Sequence, residues 1–216
     1  MYADDLVLMD SDLESVKSLL EELDRQLCRV GMMMNVKKTK MMVLNGKIDQ
    51  PLVIRGEAIE VVDSFTYLGV NVRTDQSSSA EEVGIRISKA VAVFRALYHP
   101  LWKRKQVTLK TKMEIYRMAV LPVLMYGCET WVLSAKESAR LEVFQMRCLR
   151  SVLGITKFHH RRNEDIRRET NQPPIAELVT RTRLRWLGHV ARMAEQRLPL
   201  RLLYGAVNGR DGKVAQ

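Results

Sequence analysis

Asp4 and Asp5 stand side by side in Tyr2-Ala3-Asp4-Asp5, directly before the apolar run Leu6-Val7-Leu8-Met9. Two adjacent carboxylates at a turn that leads into a strand offer the hard oxygen ligands that Mg²⁺ takes together with substrate phosphates. A basic cluster follows at Lys37, Lys38, Thr39 and Lys40. If the strand after it pairs with the strand after Asp5, a lysine ammonium there could reach a triphosphate over the carboxylates; a solvated turn would use the same residues. His159 and His160 are also adjacent, but neighbours on a helix or strand point in different directions, and neither has a partner at a metal-ligand spacing. They read as part of a basic loop.

Specific elements must position these groups. Residues 6–9 read as a strand. Asp10, Ser11 and Asp12 then offer N-cap oxygens to a helix whose stripe is Leu13, Val16, Leu19, Leu20, Leu23, Leu27 and Val30, ended by Gly31. The lysine cluster turns the chain into a short strand over residues 41–44. Asn45-Gly46 is a turn signal, and Arg55-Gly56 between two short apolar runs predicts a hairpin. Residues 65–72 read as one strand bent at Gly69, with Phe65 and Tyr67 on one face. A glycine inside a strand marks a bulge or a close backbone approach, here by a nucleic-acid strand or by ordinary packing.

Strand signals stop at the polar linker Asp75-Gln76-Ser77-Ser78-Ser79, where a domain boundary is expected. Residues 80–98 form an amphipathic helix with Val83, Ile87, Ala90, Val91, Phe94 and Leu97 on its stripe and Arg86, Lys89 and Arg95 off it. Trp102 and the cations Lys103, Arg104 and Lys105 make the next connection. The following helix is expected to break at Leu121-Pro122, because proline lacks an amide proton and clashes with the preceding turn. Residues 123–131 are expected to be mostly buried.

Ser134 and Glu137 have capping-box spacing and open a helix that Gly154 closes. Arg161 and Arg162 sit in the basic loop before a short helix around Glu164. Pro173-Pro174 starts what reads as the last helix, basic and amphipathic, with Arg181, Arg183 and Arg185 among its polar residues. Residues after about Gly205 are expected to be disordered.

With 216 residues, 46% hydrophobic and 28% charged, the chain belongs among folding globular proteins. No apolar run is long enough for a membrane span and no secretory signal is recognisable, so an intracellular, cytoplasmic or nuclear protein without membrane partners is expected. Three scattered cysteines read as buried thiols without a disulfide-linked partner. The net charge of +10 is uneven: residues 1–75 hold 9 Lys/Arg against 13 Asp/Glu, and the rest hold 26 against 12. The basic half either meets a polyanion, releasing counterions, or solvates its own helix faces.

Taken together, these residues resemble the C-terminal part of a reverse transcriptase of the non-LTR (LINE-like) retrotransposon family. Tyr2-Ala3-Asp4-Asp5 is similar to the family's catalytic tetrapeptide, Gly31 through Asn35 to Lys38-Thr39 resembles its next motif, and Phe65-Thr66-Tyr67-Leu68-Gly69 resembles its primer-gripping hairpin. Further along, Arg147-Cys148-Leu149-Arg150-Ser151-Val152-Leu153-Gly154-Ile155 and Arg185-Trp186-Leu187-Gly188-His189-Val190 look like its thumb and post-thumb segments.

The resemblance implies an α+β chain. A small antiparallel β/α palm remnant (residues 1–75) would precede an all-α thumb-like bundle (76–135), a basic post-thumb region (136–204) and a tail (205–216). It implies Mg²⁺ held partly by Asp4 and Asp5, Lys38 meeting the triphosphate, Tyr2 beside the nucleotide, and Phe65, Tyr67, Leu68 and Gly69 against the primer. Lys103, Arg104, Lys105, Arg161, Arg162, Arg181, Arg183 and Arg185 would meet the phosphates of an RNA template and DNA primer. The family's fingers and its first palm carboxylate do not appear in this sequence, so no polymerisation by this chain alone is expected. A nucleic-acid-binding module without catalysis, or a decayed transposon reading frame, fits the same residues.

Overall fold

Asp12 opens the first helix, α1 (Leu13–Arg29), by accepting the Ser15 amide at 2.9 Å and the Ser15 hydroxyl at 3.0 Å. That backbone bond holds the Asp12 carboxyl below the usual carboxylate range. Gly31, at φ +74°, closes α1: its amide and that of Met32 return to the carbonyls of Cys28 and Leu27. These coordinates come from a computed structural model that describes residues 6–44, 48, 51–74 and 78–207. The chain is α+β and divides into two compact units, Met1–Ser78 and Ser79–Gln216.

In the first unit α1 buries Leu20 against Leu52, Ile54 and Ile59, with Leu8, Leu13, Val16, Met34, Val36 and Met41 packed around them. The described residues of this unit form three two-stranded pairings. Strand β1 (Lys40–Met41) runs parallel to β4 (Glu60–Val61), while β2 (Val53–Ile54) and β3 (Glu57–Ala58) form the expected hairpin. Arg55 and Gly56 at its tip have φ of +52° and +80°, the two left-handed residues of a type I′ turn. Strands β5 (Ser64–Tyr67) and β6 (Val70–Arg73) form a second such hairpin around Leu68 and Gly69, at φ +48° and +77°.

Several expectations change here. Residues 65–72 are not one bent strand but a hairpin, because Gly69 serves a two-residue turn rather than a bulge. Residues 6–9 join no ladder among the described residues; Leu8 is half-buried on the core while Leu6, Val7 and Met9 stay exposed. The strand after the lysine cluster is shorter than expected and takes β4 as its partner. Cys28 is exposed rather than buried, and its sulfur accepts from Arg55 Nη2 at 2.8 Å. The Asn45-Gly46 turn and the linker at residues 75–77 lie outside the described residues.

The second unit is helical. Helix α2 (Ser78–Ala96) leads into a π-helical turn, Tyr98–Trp102, whose indole stacks on Phe94 at 5.0 Å and donates to the Phe94 carbonyl at 2.8 Å. Helix α3 (Leu109–Ile115), a π-helical turn Tyr116–Val120 and α4 (Leu121–Met125) follow without a gap. The helix does not break at Pro122: the widened turn before it shifts the hydrogen-bond pattern where the proline amide is missing. Residues 123–131 are only partly buried, with Tyr126 exposed and Leu124, Cys128 and Trp131 inside.

Helix α5 (Ala135–Leu153) has the expected capping box, and Gly154 closes it at φ +69°. It buries Leu141, Phe144, Cys148, Leu149 and Val152 in a core shared with Met113, Tyr116, Leu124, Ile166 and Val179. Helices α6 (Asn163–Thr170) and α7 (Ile175–Val190) pack on α5. Buried Gln145 fixes the lead into α7 by donating to the Pro173 carbonyl at 2.9 Å. Helix α7 is not the last: α8 (Leu198–Val207) follows and buries Leu200. Residues 208–216, most of the expected tail, lie outside the described residues. No described helix is long and apolar enough to cross a membrane.

Candidate nucleic-acid interface

The first unit carries two of the groups singled out by sequence. At the lysine corner the Asn35 side-chain oxygen accepts the Lys38 amide at 3.1 Å, and the Asn35 carbonyl accepts the Thr39 amide at 3.0 Å. This Asx-type turn projects Lys38 from a fixed backbone and leaves its side chain exposed. Lys40, by contrast, pairs with Glu60 across the parallel ladder. Tyr2, Asp4 and Asp5 lie outside the described residues, so no distance relates them to Lys38. Among the described residues no three His, Cys, Asp or Glu side chains gather as a metal site.

The hairpin β5–β6 shows an apolar face. Phe65 pairs with Val72 and Tyr67 with Val70, so all four side chains share one side of the ribbon. Phe65, Leu68 and Val72 are each 38% exposed, which leaves this face and the turn open rather than buried in the unit's own core.

In the second unit the predicted cations separate into distinct environments. Lys103, Arg104 and Lys105 are exposed after the π-helical turn and make no ion pair among the described residues. Lys112, which the sequence reading passed over, is buried and donates from Nζ to the Trp102 carbonyl at 2.9 Å, capping that turn. Arg161 pairs with Glu169 at 2.6 Å, whereas Arg162 is exposed at the start of α6. Arg150 braces this loop, donating to Asn163 Oδ1 at 2.7 Å. His159 folds back on it as well, its Nδ1 lying 3.1 Å from the Thr156 amide nitrogen, which donates to it.

On α7, Arg181 pairs with Glu177 one turn earlier at 2.9 Å, an exposed pair that leaves the guanidinium accessible. Arg185 is exposed beside Trp186. Arg183 differs from both: its guanidinium donates from Nε to the Cys128 carbonyl at 3.3 Å and from Nη2 to the Trp131 carbonyl. It fastens α7 to the segment after α4.

Arg86, expected on the solvent side of α2, is buried. Glu82, one turn earlier on the same face, pairs with it at 2.5 Å, and its guanidinium lies 4.6 Å from the centre of the Tyr126 ring. Carboxylate and guanidinium at i and i+4 were visible in the sequence as a signal for this pairing. Four other cations of α2 and α5, Arg95, Lys136, Arg140 and Arg147, stand exposed around one groove, and the sequence reading did not group them. Their helical spacing was the available signal.

Comparison with known proteins gives two relatives of transposon origin. The chain is 28% identical to an uncharacterized transposon-derived protein of Caenorhabditis elegans, over 91% of this chain and 72% of that protein. It is 26% identical to a protein described as a probable RNA-directed DNA polymerase from transposon BS of Drosophila melanogaster, over 60% of this chain but 16% of that protein. No family model and no solved structure matches.

Proposed function

We propose that this relative of transposon-derived proteins is the C-terminal part of a non-LTR retrotransposon reverse transcriptase, and that its helical half holds an RNA template and DNA primer by their phosphates. The observation that carries this reading is the similarity to a probable RNA-directed DNA polymerase from a transposon, alongside the order of the segments Tyr2–Asp5, Gly31–Thr39 and Phe65–Gly69. The exposed cations of the second unit support it, since phosphate contacts need accessible rather than buried charge.

In this reading Asp4 and Asp5 are part of a Mg²⁺ site, for which paired carboxylate oxygens are suitable donors. Bound there, Mg²⁺ would offset the charge that develops on the phosphoryl oxygens. Lys38, held on its Asx-type turn, meets the triphosphate, and Tyr2 stands beside the nucleotide. Phe65, Tyr67, Leu68 and Gly69 hold the primer end on the open face and tip of their hairpin. Lys103, Arg104, Lys105, Arg161, Arg162, Arg181 and Arg185 contact phosphates, while Arg183 positions α7.

Primer extension on an oligo(dT)-primed poly(A) template with Mg²⁺ tests the catalytic part. No incorporation is expected. Incorporation that Asp4→Ala abolishes would overturn the claim of inactivity and establish an enzyme. A second reading, a binding module without any catalytic ancestry in use, is favoured by the concentration of unpaired cations in the helical unit; it shares the binding prediction and differs in leaving Lys38 and the β5–β6 hairpin without a role.

A further inference from the structure

Between α2 and α5 lies an open groove of about 620 Å³. Ile87, Val91 and Phe94 line it from α2, at the i, i+4, i+7 spacing of one helix face, and Ala139, Val143 and Phe144 line it from α5. Val143 is 49% exposed and Ile87 and Val91 are only half-buried, so the apolar floor is accessible. Its rim carries Arg95, Lys136, Arg140 and Arg147, and no carboxylate lines it. None of these four cations forms an ion pair among the described residues; Arg140 donates to the Ala80 carbonyl at 3.2 Å.

Gly84 lies beside this guanidinium. A Cβ at Gly84 would stand 3.1 Å from Arg140 Nη2, closer than most real contacts of that kind, so the glycine makes room for the guanidinium to cross toward α2. The groove therefore has one end spanned by Arg140 and a floor that stays open.

We propose that this groove docks an acidic amphipathic helix of a partner protein. Charge complementarity selects it: four cations without carboxylate partners surround an aliphatic strip, which matches a helix whose apolar stripe is flanked by Glu or Asp. A nucleic-acid strand would satisfy the rim but place its polar backbone or base edges against Ile87, Val91 and Val143, which offer neither hydrogen bonds nor an exposed aromatic face for stacking. The lining from Lys136 to Arg147 covers about 16 Å at 1.5 Å per residue, so about three turns of partner helix fit. The site is separate from the cations assigned to phosphate contacts.

The probe is a fluorescein-labelled 16-residue helical peptide with Leu at i, i+4, i+7 and i+11 and Glu flanking that stripe, titrated with the full chain by anisotropy. Saturable binding is expected, weakened at least tenfold by Val143→Asp and by the Arg95→Glu/Arg147→Glu pair. Arg185→Gln, on another helix, should leave it unchanged. Replacing the peptide's Glu by Lys should restore binding to the Arg95→Glu/Arg147→Glu variant. Circular dichroism confirms that each exposed-site variant stays folded. The proposal is overturned if the peptide fails to bind the folded wild type, if its binding ignores these substitutions, or if a single-stranded oligonucleotide, and not the peptide, responds to them.

Discussion

Arg183 on α7 donates from Nε to the backbone carbonyl of Cys128 at 3.3 Å, and its Nη2 reaches the next carbonyl partner at Trp131. Its neighbour Arg185, two residues along, is exposed. One arginine of the basic run is thus a structural clamp and the other an accessible charge, a division that composition cannot reveal.

The first prediction separates them. Arg183→Gln leaves two carbonyls without their charged donor and should lower stability by about 1.5–3 kcal/mol, the range for hydrogen bonds to charged groups. Arg185→Gln should stay within about 0.5 kcal/mol of wild type, as exposed substitutions do. Urea titration of both variants measures this; equal stabilities would contradict the clamp.

At the tip of the β5–β6 hairpin, Leu68 and Gly69 both have positive φ. A β-branched residue at Gly69 is strained there, so Gly69→Val should cost on the order of 1–2 kcal/mol. Leu68→Asn should instead stabilise the turn by a few tenths of a kcal/mol, since Asn accepts the left-handed region readily. Amide hydrogen exchange across Phe65, Tyr67, Val70 and Val72 reports both effects; faster exchange in the Asn variant would argue against the type I′ turn.

The pair Glu82–Arg86 has both side chains within 6% of full burial. Arg86→Met takes the guanidinium away from a buried carboxylate and should destabilise by about 3–5 kcal/mol. The double variant Glu82→Leu/Arg86→Met removes both charges and should recover most of that loss. Thermal unfolding of the single and double variants decides it, and a double variant no better than the single would count against pairing as the cause.

Burial pushes the Cys148 thiol up to about 12; burial, and next the nearby Glu129 carboxylate, push the Cys128 thiol up to about 11. In an unfolded chain both would titrate near ~8.5. Above that value the unfolded state has lost protons that the native state keeps, so their stabilising contribution is complete below about pH 8.5 and declines as pH rises toward 11 to 12. The urea midpoint should fall between pH 8 and 10, and fall less in Cys148→Ala. Equal slopes in the two proteins would show that other groups cause the decline.

The helical unit was largely readable because its ends carry chemical markers. Ser134 with Glu137, Gly154, and Pro173-Pro174 each satisfy or terminate backbone groups locally, so the elements follow from neighbours in sequence. The first unit was less readable. Its ladders of two to four residues carry little periodicity, and the partner of Lys40–Met41 is chosen by long-range packing around Leu20, Ile54 and Ile59. Pro122 misleads because a π-helical turn absorbs its missing amide bond.

Of the candidate site, the positions were legible and the environments were not. Arg86 and Arg183 look like surface cations until Glu82 and the carbonyls of Cys128 and Trp131 are placed beside them. The β5–β6 turn shows the converse: sequence marked Gly69 as special, and only its left-handed φ together with that of Leu68 says why.

Phosphate-mediated binding is tested most directly by the salt dependence of affinity for a short RNA–DNA hybrid, measured by anisotropy from about 50 to 200 mM salt. A linear fall of log K with log salt is expected, its slope reduced by about one to two in the Arg181→Gln/Arg185→Gln variant and by a further amount when Lys103, Arg104 and Lys105 are neutralised. Affinity that does not change with salt, or a slope untouched by these substitutions, would contradict the account.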